Sequence, residues 1–232
     1  MVTLLGLDVD GTLLRGGVIG QRAAIAATRA VTDREPTDLP PRAGRTDLMI
    51  ARDMLTAAGV AHDEVDDLTP AYFQALEVEA AGLMGTFRQD GRVLPGVREL
   101  LTAAAEHDQV VAAPLTGNIR AVARLKLAVF DLDGLLDFGA GAFGDDAADR
   151  AVLVDIARQR TTERTGRPVP CGRVVVIGDT PRDVDAARRA GARCVAVATG
   201  DYPPAELAAA DLVLNTLTGP GVLDRILAVT HP

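Results

Sequence analysis

The chain has 232 residues, 48% of them hydrophobic, with a formal net charge of −8 and a pI near 4.9. This length holds one good core plus an insertion, or two modest domains. An acidic balance argues against a nucleic-acid or anionic-membrane surface, since either needs a continuous basic face, so an anionic ligand must find positive charge supplied by its own site. Two cysteines, Cys171 and Cys194, cannot make a disulfide framework. Met1 leads directly into a short strand with no signal-peptide pattern, and no apolar run has the length of a membrane span, so a cytoplasmic protein with no nucleic-acid and no membrane partner is expected. Lys126 is the only lysine among 24 basic residues.

In chain order, residues 2–7 form an apolar run ended by Asp8 and read as a buried strand. A turn-rich stretch, 11–20, follows. Residues 21–89 change to Ala-rich helical segments punctuated at Pro36, Pro40-Pro41, Thr46-Asp47, Gly59 and Thr69-Pro70, with no convincing strand. Beyond Gly91 strands and helices alternate: a helix over 95–106, a strand over 109–115, a helix over 118–129, a helix over 147–164, a strand over 173–178, a helix over 181–190, a strand over 193–198 and a short strand at 212–214. Such alternation implies right-handed crossovers and a mainly parallel sheet covered on both faces. The expected fold is α/β, a Rossmann-like core over 1–14 and 91–232 with a helical insertion over 15–90. Ligands of such sheets bind at the carboxyl ends of the strands.

Three polar clusters fall at those ends: Asp8-Val9-Asp10-Gly11-Thr12, Thr116-Gly117-Asn118, and Gly178-Asp179-Thr180-Pro181-Arg182-Asp183. Each alone reads as an ordinary turn or helix cap. Their order is far more specific. It resembles the haloacid dehalogenase superfamily, whose phosphatase branch carries DxDGT, a Ser or Thr at the second strand end, a Lys or Arg, and GDxxxD. The resemblance covers nearly the whole chain, because 21–89 occupy the place of that family's helical cap and the sequence LPGVRELL resembles its return to the core.

The resemblance implies phosphoryl transfer from a small-molecule phosphate ester through an aspartyl phosphate. Asp8 would be the nucleophile and Asp10 the general acid and then base. Mg²⁺ would be held by Asp8, the backbone carbonyl of Asp10, and Asp179, with Asp183 close behind. Thr116 and the N–H groups of Gly117 and Asn118 would hold phosphate oxygens. Asp10 sets the chain apart from dehalogenases proper, and the absence of lysine over 15–90 from the phosphonoacetaldehyde hydrolase branch. A phosphoglycolate phosphatase-like hydrolase is the leading reading. A β-phosphoglucomutase-like phosphotransferase is the alternative, and a non-enzymatic phosphoacceptor is disfavoured by Asp10, the cap and the length. A monomer or weak homodimer is expected.

A second Asp-x-Asp-Gly lies in FDLDGLLDF, residues 130–138, but Asp131 follows a helix and Leu135 stands where the first copy has Thr12, so this copy reads as a structural turn. The cation is contested between Lys126, about two helical turns past Asn118 on a helix whose side chains tilt back toward its start, and Arg150, nearer the family's usual spacing; Lys126 is preferred. In the insertion, Gly44-Arg45-Thr46-Asp47 resembles a substrate-contacting loop of phosphoglycolate phosphatase and β-phosphoglucomutase relatives. Arg45 is its candidate clamp for a distal anion, while Thr46 or Asp47 also reads as a helix cap. His62, His107 and His231 show no metal-ligand spacing and read as solvent-exposed, and the cysteines read as small residues beside or within strands.

Overall fold

A computed structural model describes residues 1–230; His231 lies outside the described residues. The core is a five-stranded parallel sheet of β1 (Thr3–Leu7), β4 (Val110–Pro114), β5 (Val174–Gly178), β6 (Arg193–Val197) and β7 (Leu212–Leu214) in the order β4-β1-β5-β6-β7. Central β1 pairs with both neighbours, Leu7 lying opposite Pro114 and Ile177. Because side chains alternate along a strand, the sheet splits into two apolar layers. Leu5, Leu7, Val175, Ile177, Val195 and Val197 pack on one side against α4 (Val97–Ala105), α5 (Arg120–Ala128) and α8 (Val222–Ala228). Leu4, Val174, Val176, Cys194 and Ala196 face α6 (Arg150–Thr165) and α7 (Pro181–Arg189) on the other.

Three more helices, α1 (Ile19–Thr32), α2 (Asp47–Ala57) and α3 (Val65–Asp90), bury a third cluster including Ala23, Ala27, Ile50, Met54, Leu55 and Leu76, which also takes in Ile119 and Val122 at the start of α5. The helical unit therefore sits on the core through α5. Thr69-Pro70 does not break α3. Pro70 lies inside the helix, past its first turn, and the helix continues through it despite the lost N–H. The segments entering and leaving the helical unit form a ribbon of two-residue strands, β2 (Leu14–Arg15) antiparallel to β3 (Arg92–Val93), too short to leave a periodic sequence signal. Among the described residues no helix is long and apolar enough to cross a membrane. His62 and His107 are exposed in turns, Cys171 is exposed beside β5, and Cys194 is buried in β6.

Candidate active site

Parallel pairing of β1 with β4 and β5 puts Asp8, Thr116 and Asp179 at adjacent strand ends. Asp8 is buried, and its N–H donates to the Ile177 carbonyl at 2.9 Å, which fixes the exit of β1. Asp179 is buried too, its Oδ1 accepting from the Thr12 hydroxyl at 3.1 Å. Gly11, with φ +86°, and Gly200 press on this carboxylate from two loops, so that a Cβ on either would strike it. Thr199 ties the loops together by donating to the Gly11 carbonyl at 2.6 Å.

Asp183 sits one turn into α7. Its Oδ2 accepts from the Thr180 N–H at 3.0 Å and the Thr180 hydroxyl at 2.7 Å, forming a capping box behind Pro181. Its Oδ1 accepts from the Arg150 guanidinium, which also lies 3.5 Å from Asp8 Oδ1. Oxygens of Asp8, Asp179 and Asp183 lie within 4.8 Å of one another, all three residues buried.

Burial is the first cause pushing the Asp8 carboxyl up to about 6; Asp183 and Asp10 add to it, while Arg150 and the Thr116 hydroxyl oppose it. Asp179 is pushed up to about 8, first by burial, then by Asp8 and Asp183. Ionised together, the three carboxylates would outnumber the one guanidinium by two charges, which is why the metal-free site favours holding a proton. That balance, with hard oxygen donors, fits a divalent metal cation.

Asp10 faces elsewhere. Its side chain is 48% exposed, and its Oδ2 accepts from Lys126 Nζ at 2.6 Å and from Asn118 Nδ2 at 2.8 Å. Desolvation pulls its carboxyl up, but Lys126 and Asn118 outweigh it and hold the group below the ordinary Asp value. Lys126 Nζ also donates to Asn118 Oδ1 at 2.8 Å, and Asn118 Nδ2 reaches Thr116 Oγ1 at 3.1 Å, so the second strand-end cluster and the lone lysine form one network. The choice between Lys126 and Arg150 dissolves: both reach the site, Lys126 at Asp10 and Arg150 at Asp8 and Asp183. Asp131 lies apart, exposed in a left-handed turn with φ 53° after α5, where the Phe130 and Asp131 carbonyls accept from Arg98.

The start of α2 is hydrogen-bonded to the core loops beside the site. The Asp47 N–H donates to the Gly117 carbonyl at 2.6 Å, Leu48 N–H to the Gly144 carbonyl at 3.2 Å, and the Thr46 hydroxyl to the Ala148 carbonyl at 3.0 Å. Thr46 is also the N-cap of α2, accepting from Met49 N–H. Asp47 Oδ2 accepts from the Ile119 N–H at 2.9 Å. Arg45 borders the cavity, but its guanidinium turns to Asp53 at 2.6 Å and to the Pro41 carbonyl. Arg42, not singled out by the sequence reading, is held near Asp47 at the cavity wall. It lies three residues before Arg45 in a stretch without periodicity, so the sequence carried no signal of which guanidinium turns inward.

Between the two parts lies a cavity of about 560 Å³, lined by Asp8, Asp10, Thr116, Asp179, Arg42 and Lys126 among others. Arg15, Arg45 and Arg150 also line it, so five basic side chains meet five aspartates here, Asp8, Asp10, Asp47, Asp179 and Asp201.

A family model described as HAD-hydrolase-like matches residues 148–220. No curated protein matches the chain. Among solved structures, β-phosphoglucomutase from Clostridium difficile matches with a TM-score of 0.68 at 14% identity, covering 98% of each chain. CbbY from Rhodobacter sphaeroides, solved in complex with phosphate, matches with a TM-score of 0.61 at 23% identity, over 97% of this chain and 100% of that one. A hydrolase from Pseudomonas syringae matches with a TM-score of 0.62 at 23% identity, over 97% and 99%. The resemblance carried by the motifs is thus matched by a family model over part of the chain and by the fold along nearly all of it.

Proposed function

We propose that this haloacid dehalogenase-like chain is a phosphatase that hydrolyses small phosphomonoesters through an aspartyl phosphate on Asp8. The observation that carries the reading is the buried trio of Asp8, Asp179 and Asp183, of which Asp8 and Asp179 line a cavity that Lys126 and Arg150 also border. Asp8, the Asp10 carbonyl and Asp179, supported by Asp183, would hold Mg²⁺, which when bound offsets the repulsion between an anionic nucleophile and an anionic ester. Arg150 keeps Asp8 and Asp183 in register and supplies fixed positive charge beside the nucleophile. A carboxylate oxygen of Asp8 attacks phosphorus as the ester P–O bond breaks, and the departing oxygen takes a proton from Asp10, which must first take that proton up from solvent or the ester because Lys126 and Asn118 favour its ionised form. Asp10 then removes a proton from water, whose oxygen attacks the same phosphorus. The bond to Asp8 breaks, releasing inorganic phosphate and restoring both carboxyl groups. Lys126 and Asn118 place Asp10 for both proton transfers, and Thr116 with the Gly117 and Asn118 N–H groups binds phosphate oxygens.

The test is release of inorganic phosphate from a panel of small phosphomonoesters with MgCl₂ and after chelation. Wild type should turn over only with the metal, Asp8→Asn should be inactive, and Asp131→Asn should stay within a few-fold of wild type. Full activity in EDTA, or a folded Asp131→Asn protein that is dead, would overturn the assignment. Transfer of the phosphoryl group to a hexose phosphate acceptor in place of water would replace hydrolysis with the mutase reading.

A further inference from the structure

Helix α5 starts without a cap of its own. Ile119 holds the N-cap position, and its side chain has no oxygen to offer, yet the backbone N–H groups at a helix start have no partner within the helix. Two carboxylates from elsewhere in the chain supply acceptors. Asp47 Oδ2 accepts from the Ile119 N–H at 2.9 Å, and Asp145 Oδ1 accepts from the Arg120 N–H at 3.0 Å. The helix dipole also favours negative charge at this end. Asp145 is exposed in a core loop, whereas Asp47 is buried and belongs to α2 of the helical unit.

Asp47 grips the loop before α5 on both sides of Asn118. Its own N–H donates to the Gly117 carbonyl at 2.6 Å while its carboxylate takes the Ile119 N–H. The fit leaves no slack: a Cβ on Gly117 would stand 2.1 Å from the Arg45 carbonyl oxygen, and one on Gly144 would stand 1.8 Å from the Gly117 oxygen and 2.8 Å from the Asp47 nitrogen. The Gly144 N–H donates in turn to the Asn118 carbonyl at 2.8 Å. With its backbone held in this way, Asn118 presents Nδ2 to Asp10 Oδ2 and Oδ1 to Lys126 Nζ. Among the described residues no hydrogen bond joins Asp47 to Asp10, so its hold on Asp10 passes through Asn118.

We propose that Asp47 is a positioning residue for the proton transfers of Asp10: by accepting from the Ile119 N–H and donating to the Gly117 carbonyl, it sets the Asn118 side chain that orients Asp10. This rests on the phosphatase reading and adds to it a residue outside the reacting groups. The hydrogen bond carries the effect and the charge is secondary, since an acceptor oxygen is what the start of α5 lacks. The departing oxygen of an alkyl ester needs a proton, whereas nitrophenolate leaves as a stable anion and needs little help. Displacing Asn118 therefore penalises the two kinds of ester unequally, as loss of a phosphate contact or of folded protein does not.

The test compares glycerol 2-phosphate with p-nitrophenyl phosphate in MgCl₂. Asp47→Ala should lower kcat/KM for glycerol 2-phosphate about 10²-fold, the scale of a misplaced catalytic group, and several-fold less for p-nitrophenyl phosphate. Asp47→Asn, whose amide oxygen can still accept from Ile119, should recover about 10-fold of that loss. In an Asn118→Ala background, Asp47→Ala should no longer change the ratio between the two esters. Equal losses on both esters, or the same shift in ratio with and without the Asn118 side chain, would overturn the proposal. Amide hydrogen exchange reads the anchor without turnover: in Asp47→Ala the Ile119 N–H should exchange about 10-fold faster or more, while the N–H groups of β1 and β5 stay protected. An Ile119 N–H equally protected in both proteins would refute the anchor. Protection that depends on Asp47, in a protein that cleaves neither ester, would uphold the anchor and refute the phosphatase reading.

Discussion

Replacing Asp179 by Asn tests the metal assignment without any turnover. The Asp179 carboxyl is pushed up to about 8 from the ordinary 3.8, with burial the first cause and the Asp8 and Asp183 charges following. Its folded value lies above its unfolded one, so the folded protein binds the extra proton. This group's contribution to stability is then fully present below 3.8 and is lost as pH rises toward about 8. At pH 7, roughly three pH units above the unfolded value at about 1.4 kcal/mol each put the cost of keeping this side chain at about 4 kcal/mol. Asparagine removes the charge while retaining an oxygen for Thr12. If half of the cost is recovered, Asp179→Asn should melt about 4 to 8 °C above wild type in EDTA at pH 7, and the advantage should shrink at pH 5. Magnesium should reverse the order, since a cation at about 100 times its Kd stabilises the folded wild type by about 2.7 kcal/mol and the variant has lost a ligand. Thermal unfolding by circular dichroism at pH 5, 7 and 8, in EDTA and in MgCl₂, measures all of this. A metal-free variant less stable than wild type at pH 7, or an equal magnesium shift in both proteins, would refute the reasoning.

The two cations should separate by what they lose. Lys126→Ala should cost roughly 10²- to 10³-fold in kcat with a smaller loss in urea midpoint than Arg150→Ala, because Asp10 rehydrates while the buried Lys126 stem and its bond to Asn118 are lost; Arg150→Ala should also lose turnover and, in EDTA, about 3 to 5 kcal/mol of stability, because it strips a buried partner from Asp8 and Asp183. An Arg150→Ala protein as stable as wild type would contradict the pairing. Gly11→Ala puts a Cβ into the Asp179 carboxylate from a left-handed backbone and should cost about 2 kcal/mol or more, with a higher magnesium requirement; an unchanged midpoint and magnesium titration would contradict the close approach.

What the sequence by itself determined is whatever is written in short-range periodicity and turn chemistry. The apolar runs at 2–7 and 173–178, each ended by a strand-end aspartate, mark the central strands, and the order of the three polar clusters places Asp8, Thr116 and Asp179 on one edge once the sheet is parallel. The same logic placed FDLDGLLDF in a turn, because the helix before it leaves Asp131 no strand end to sit on. Tertiary structure alone decided which charges meet. Lys126 and Arg150 looked like alternatives because linear spacing offers one place for a cation, whereas the packing of α5 and α6 on opposite faces of the sheet brings each to a different carboxylate. Arg42 and Arg45 cannot be ranked along the chain either. Their directions follow from Asp53 drawing one guanidinium away and the core-anchored Asp47 holding the other, long-range pairings set by how the helical unit closes on the core.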